Sequence, residues 1–315
     1  MNVSDIPVPH TLDQMPARQT TDFALTRNSR HLIYLIHGAT GTPVEMRYLA
    51  IGLAGFGFDV YVTTLPGHGR RLRDLVQTTE VDWRNHVSLQ LAFAKGHYDG
   101  IFVAGLSAGA LLALDASLEI PLAGIGVLSP TFFYDGWNTP WHDFLLPLAM
   151  KCVPYRWQHL FFHLDGPPFG IKDEWLREQV RVAYHSEAIF REWWHAWWPG
   201  GKESGSDADA EAASKGNPIF PLKTLTEIDR LITRVRASMG RVTAPAIILQ
   251  AREDDMTSPR NAQLVYDSIA SKVKELVLLE DCYHVITVDI QKKDVIRHLG
   301  RFFQALIPAK DFTTA

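Results

Sequence analysis

Gly100-Ile101-Phe102-Val103-Ala104-Gly105-Leu106-Ser107-Ala108-Gly109 decides the fold. An apolar run of strand length leads into a serine with a glycine two residues to either side, and Ala108 to Glu119 then reads as a helix. A sharp turn from strand to helix holds such a serine in a strained backbone and lifts its hydroxyl over the sheet edge. Side chains two positions away on either side would clash there, hence the glycines. The helix that follows aims its positive N-terminal end at the same place, which favours an anion. The bland alternative is a glycine-bounded turn carrying a surface serine.

Outward from this turn, the same alternation repeats. Leu32 to Ile36 is an apolar run that stops at His37-Gly38, and Pro43 to Gly55 follows with Met46, Leu49, Ala50 and Leu53 at helical spacing. Phe58 to Val62 reads as a strand ending at Pro66-Gly67-His68-Gly69, and a helix is expected from Asp82, as N-cap, to Lys95. Gly124 to Leu128 is a further short strand. Ala246 to Gln250, a helix Arg260 to Ile269, the strand Glu275 to Leu279 and a helix Lys292 to Leu306 complete the series. Continuous apolar strands alternating with helices predict an α/β fold, a mostly parallel sheet flanked by helices on both faces.

The rhythm breaks between Thr131 and Thr243. Eight of the nine tryptophans fall between Trp137 and Trp198, and residues 200–217 are rich in Gly, Ser, Ala and acidic residues, as a flexible loop would be. The expected organisation is a polar N-terminal extension at 1–30, a core at 31–130 and 244–310, and an inserted, aromatic-rich, largely helical cap at 131–243. Trp193, Trp194, Trp197 and Trp198 either build the core of that cap or line an acyl- or aromatic-binding pocket.

A serine hydroxyl needs an adjacent base to attack at neutral pH, and that base needs a carboxylate to orient it. On a sheet of this kind the chain order is serine, acid, histidine. Asp254, just past the strand ending at Gln250, and His284, just past the strand ending at Leu279, supply that order with Ser107. Asp255 is an adjacent candidate for the acid, and Asp281 and Asp289 are carboxylates near the base. A developing oxyanion needs two backbone N–H donors; Ala108, after the nucleophile, and Ala39, in the loop His37-Gly38-Ala39-Thr40-Gly41, are the candidates. His37-Gly38 read blandly is only a tight turn.

Together, His37-Gly38-Ala39-Thr40-Gly41, Gly67-His68-Gly69, Gly105-Leu106-Ser107-Ala108-Gly109, Ala251-Arg252-Glu253-Asp254-Asp255-Met256 and His284-Val285-Ile286-Thr287-Val288-Asp289 resemble the bacterial carboxylesterase and monoacylglycerol-lipase branch of the α/β-hydrolase superfamily. The resemblance covers roughly Leu32 to Val127 and Ala246 to Phe303, not the insert. It implies the acid at Asp254, the base at His284 and oxyanion donors at Ala39 and Ala108. The family usually has Gly before the histidine, where this chain has Tyr283, a departure that narrows the approach to His284. Gly67-His68-Gly69 reads as a structural turn.

The implied chemistry is hydrolysis of a carboxylic ester through an acyl-enzyme, on a small-molecule substrate with an apolar acyl or aromatic group. Thioester cleavage or acyl transfer on the same site are the nearest alternatives, and a non-catalytic binding protein is the alternative of another class. A serine at position 107 argues against epoxide hydrolysis or dehalogenation, which need a carboxylate nucleophile.

Composition agrees with a folded enzyme. The chain has 315 residues, 46% hydrophobic and 21% charged, and its 31 basic and 35 acidic side chains form no basic block, so a nucleic-acid partner is not expected. No H-E-x-x-H, cysteine pair or G-x-G-x-x-G after a strand occurs, so neither metal nor cofactor is expected. Cys152 and Cys282 suit a reducing compartment. The N-terminal stretch, broken by Pro7, Pro9 and Pro16, lacks the pattern of a signal peptide, which makes a cytoplasmic location the expectation. Peripheral membrane contact stays open, and oligomeric state is not legible.

Overall fold

The computed structural model describes residues 21–140, 144–184 and 216–308. Its main sheet has seven strands among the described residues: β1 (Phe23–Leu25), β2 (His31–Ile36), β3 (Asp59–Val62), β4 (Gly100–Leu106), β5 (Gly124–Leu128), β8 (Ala246–Ala251) and β9 (Lys274–Leu279). They lie in the order β1-β3-β2-β4-β5-β8-β9. All neighbours are parallel except β1, which runs antiparallel along β3. A separate two-stranded sheet pairs β6 (Phe162–Leu164) with β7 (Ile219–Pro221).

Both faces of the central strands are buried, which is why these strands read as unbroken apolar runs. Tyr34, Ile36, Val103, Ile125, Val127 and Ile248 point into one core cluster; Ile33, Leu35, Phe102, Ala104, Leu128, Ile247 and Leu249 point into the other. The first cluster is covered by α3 (Glu80–Lys95), α4 (Ala108–Glu119) and α7 (Leu222–Ser238). The second is covered by α1 (Arg47–Ala54) and α9 (Lys292–Ala305). Short helices α2 (Leu72–Gln77), α5 (Leu146–Cys152) and α6 (Glu174–Tyr184), with α8 (Arg260–Ser268), complete the described helical set. Among the described residues, no helix is long and apolar enough to cross a membrane.

Several local details differ from the sequence reading. The N-cap of α3 is Thr79, not Asp82. Thr79 is extended (φ −121°, ψ 166°) and its side chain accepts from the Asp82 N–H, while the Asp82 carboxylate accepts from the Thr79 N–H. That reciprocal capping box needs the acid at the third helical position, so Asp82 lies inside the helix. The segment after Gly38 opens as a 3₁₀ turn, Pro43–Met46, capped by Thr42, before α1 begins at Arg47. Phe23–Leu25, in the polar N-terminal stretch, forms the edge strand β1. Within 131–243, α7 packs on α4 of the sheet-covering layer.

Candidate active site

Ser107 stands at the end of β4 with φ 56° and ψ −116°, a left-handed conformation for a non-glycine residue. The strain is held by close packing. A Cβ at Gly105 would run into the carbonyl of Gly109, and one at Gly109 into the carbonyls of Ile36 and His37. The Ser107 N–H donates to Leu128 O at 2.9 Å, tying the turn to the end of β5. The hydroxyl is thereby presented to a cavity of about 400 Å³.

That cavity gathers most of the sequence-predicted residues. Ser107, Ala39, Ala108, His284 and Asp255 all line it. Ala108 opens α4, where the first N–H groups have no intrahelical acceptor. Ala39 sits in the turn after β2, shaped by a buried histidine: His37 Nε2 accepts from the Leu65 N–H at 3.0 Å, so its Nδ1 donates to Gly38 O at 2.9 Å. Burial and the neighbouring His68 hold His37 well below the usual histidine range, that is, neutral. His68 itself packs edge-on between His37 and Trp83, with ring centroids 5.1 and 5.7 Å away, as a structural role for the Gly67-His68-Gly69 turn requires.

His284 and Asp254 meet across two loops. His284 Nδ1 lies 2.9 Å from Asp254 Oδ2 and 3.1 Å from Oδ1. Asp254 is 2% exposed, and every direction around it is filled with donors: Met256 N–H at 2.9 Å, Thr257 N–H at 2.7 Å and Gln250 Nε2 at 2.6 Å. Burial pulls the His284 imidazolium down, but Asp254, with Asp255 and Asp165 beyond it, outweighs burial and raises His284 above its ordinary value.

Asp255 points elsewhere. Its carboxylate accepts from the backbone N–H of Gly170 at 3.0 Å and of His284 at 3.2 Å, so it staples the segment before α6 to the histidine loop. Asp289 does similar work, accepting from the N–H groups of Lys172, Asp173 and Tyr283. Asp281 pairs with Lys172 at 2.8 Å. The Tyr283 ring packs against Trp137, 5.3 Å between centroids. Trp193, Trp194, Trp197 and Trp198 lie outside the described residues.

Several polar residues of the cavity escaped the sequence reading, Thr131, Asp165 and Glu45 among them. Thr131 Oγ1 is 2.9 Å from Ser107 Oγ. Asp165 and Glu45 line the same space. Burial, with a contribution from Asp255, pushes Asp165 up to about 7, and enclosure by the cavity wall pushes Glu45 up to about 7 as well. Glu45 accepts from the Gly38 N–H at the base of the Ala39 turn. No motif marks these positions; only folding brings them to the cavity that Ser107 lines.

Glu45 also makes stability pH-dependent. Between the ordinary glutamate range and about 7 the folded chain binds a proton there that the unfolded chain does not, so its contribution to stability falls as pH rises through that window. Glu45→Gln keeps an acceptor for Gly38 and cannot ionise. Its Tm relative to the parent is expected to be higher at about pH 8 than at about pH 4. Thermal unfolding at the two pH values checks this; a difference that does not change with pH would contradict it.

The order of strands has a counterpart in a known family. Residues 33–295 match the model described as "Alpha/beta hydrolase family". The chain belongs to that family. This α/β hydrolase is 27% identical over 292 residues to a thermostable monoacylglycerol lipase of Bacillus sp. (strain H-257), covering 92% of this chain and 97% of that protein. It is 24% identical over 275 residues to a carboxylesterase of Bacillus subtilis (strain 168), covering 87% and 92%. Among solved structures, the metagenome-derived lipolytic enzymes LipS and LipT give a TM-score of 0.67 at 24% identity, covering 92% of this hydrolase and 100% of that chain. The monoacylglycerol lipase of Paleococcus ferrophilus gives 0.65 at 16% identity, covering 91% and 98%.

Proposed function

We propose that this α/β hydrolase cleaves carboxylic esters, with Ser107 as nucleophile, His284 as base and Asp254 as the orienting acid. The observation that carries the reading is the Asp254–His284 Nδ1 bond of 2.9 Å, on the wall of the cavity that also receives the hydroxyl of Ser107. Held from Nδ1, the imidazole keeps Nε2 free to take the serine proton as Oγ bonds to the carbonyl carbon. The backbone N–H groups of Ala39 and Ala108 would hold the oxyanion. His284 then returns the proton to the departing alcohol, and water resolves the acyl-enzyme. The lipase and esterase names of the relatives point to the same reaction class.

The substrate side follows from the walls. Leu106, Leu146, Phe220, Leu225 and Ile228 offer an apolar surface suited to an acyl chain or aromatic group. Leu146 and Phe220 come from 131–243, which we assign as the cap over the core at 31–130 and 244–310, while Leu225 and Ile228 stand on α7, the part of that stretch that packs on α4 of the core. The substrate role of Trp193, Trp194, Trp197 and Trp198 belongs to this same assignment.

A fluorophosphonate probe tests the reading. It is expected to label Ser107 stoichiometrically, with loss of p-nitrophenyl ester turnover in proportion. A folded protein that hydrolyses no ester and takes no label would be a binding member of the fold, and the reading would fail. Among p-nitrophenyl esters of increasing chain length, turnover is expected to peak at a definite length and fall beyond it, as a bounded cavity requires.

A further inference from the structure

Among the described residues, Thr131 makes a hydrogen bond with the Ser107 hydroxyl, and it belongs to no motif of the family resemblance. It is 4% exposed, and it lines the cavity. The chain that carries it is pinned from both sides. Leu128 O accepts the Ser107 N–H, and the N–H groups of Phe132 and Phe133 both donate to Asn261 Oδ1, at 2.8 and 2.7 Å. Asn261 is itself fully buried, its Nδ2 donating to Asp135 Oδ1 at 2.9 Å and to Ser258 O at 3.0 Å. A side chain held this way is placed before substrate arrives, which is what a reacting centre needs from its surroundings.

We propose that Thr131 is a further catalytic residue, whose hydroxyl donates to Ser107 Oγ and so leaves the serine proton for His284. This rests on the ester-hydrolase reading above. A hydroxyl has one proton and two lone pairs. If one lone pair of Oγ accepts from Thr131, the serine proton is not spent on Thr131, and the second lone pair is free to attack. That pair forms the Oγ–C bond while the carbonyl π pair moves to the carbonyl oxygen and the serine proton moves to His284 Nε2. The carbonyl re-forms as the bond to the alcohol oxygen breaks, and that oxygen takes the proton from His284. In the second half, water bonds to the acyl carbon and gives a proton to His284; the C–Oγ bond then breaks, and Oγ recovers its pair and the proton. The Thr131 bond is aimed throughout at the oxygen whose charge changes.

The test compares Thr131→Val, which keeps the shape and removes the donor, with Thr131→Ser, which keeps the donor. The readouts are the second-order rate of fluorophosphonate labelling, kcat and KM for one p-nitrophenyl ester, and Tm. For Thr131→Val, labelling rate and kcat are expected to fall about 10-fold with KM little changed, the size of one net hydrogen bond. Thr131→Ser is expected to stay within about twofold of the parent. Thr131→Ala serves as the apolar variant should Val not fold. A Val or Ala variant that is folded and as fast as the parent, or faster, overturns the proposal. A Ser variant as slow as Val overturns it too, since keeping the hydroxyl would then not keep the rate. Failure of the parent itself to be labelled would instead overturn the ester-hydrolase reading, and this proposal with it.

Discussion

Ser107→Ala is expected to bring ester turnover to a level seen only as residual activity while the protein remains folded. Removing a triad serine can cost about 10⁶ in kcat, with about 10³ to 10⁴ over the reaction in water left from the oxyanion donors and binding. The structural cost is small by comparison. The strained backbone at φ 56° is held by Gly105, Gly109 and the Ser107 N–H bond to Leu128, none of which involves the hydroxyl. Alanine keeps the Cβ and loses only the bond to Thr131, worth about 1 kcal/mol. Turnover of a p-nitrophenyl ester and Tm, measured side by side, decide the matter. A variant with the parent's Tm and near-parent kcat would remove Ser107 from the mechanism.

The core was legible because a parallel sheet buried on both faces writes itself as apolar runs. His31–Ile36, Gly100–Leu106, Gly124–Leu128 and Ala246–Ala251 all coincide with such runs to within one residue. The edges were harder. Phe23–Leu25 is a strand only because β3 offers it a free edge, and three residues cannot display a period. The start of α3 was misread because Asp is a good N-cap in isolation, whereas the extended backbone at Thr79 and the reciprocal bonds make Asp82 the partner of the cap. At the candidate site, Ser107, Asp254 and His284 are legible because each follows a strand and so lies at one sheet edge. Thr131, Glu45 and Asp165 carry no such mark. They reach the cavity through loop paths that depend on remote partners: Asn261 for the exit of β5, Gly38 for Glu45, and the pairing of β6 with β7 for Asp165.

The two adjacent acids give the sharpest contrast still to be measured. Asp254→Asn is expected to lower kcat by about 10⁴, because the imidazole is then held in the wrong tautomer. The geometry makes the reason concrete. Asp254 Oδ1 accepts from the Met256 and Thr257 N–H groups, so an asparagine would keep its carbonyl oxygen there and turn its amide nitrogen towards His284. That nitrogen donates to Nδ1, which forces the ring proton onto Nε2, where the serine proton must go. Asp255→Asn meets a different demand. Its two acceptor oxygens serve the backbone N–H groups of Gly170 and His284, and asparagine supplies only one oxygen. One buried donor loses its partner, at a cost of about 1 to 3 kcal/mol in stability. The imidazole keeps its tautomer, so kcat for Asp255→Asn is expected to remain within about tenfold of the parent while Tm drops. Measuring kcat with one ester and Tm for both variants separates the roles. A dead Asp255→Asn beside an active Asp254→Asn would move the acid by one residue, and two active variants would place it elsewhere in the chain.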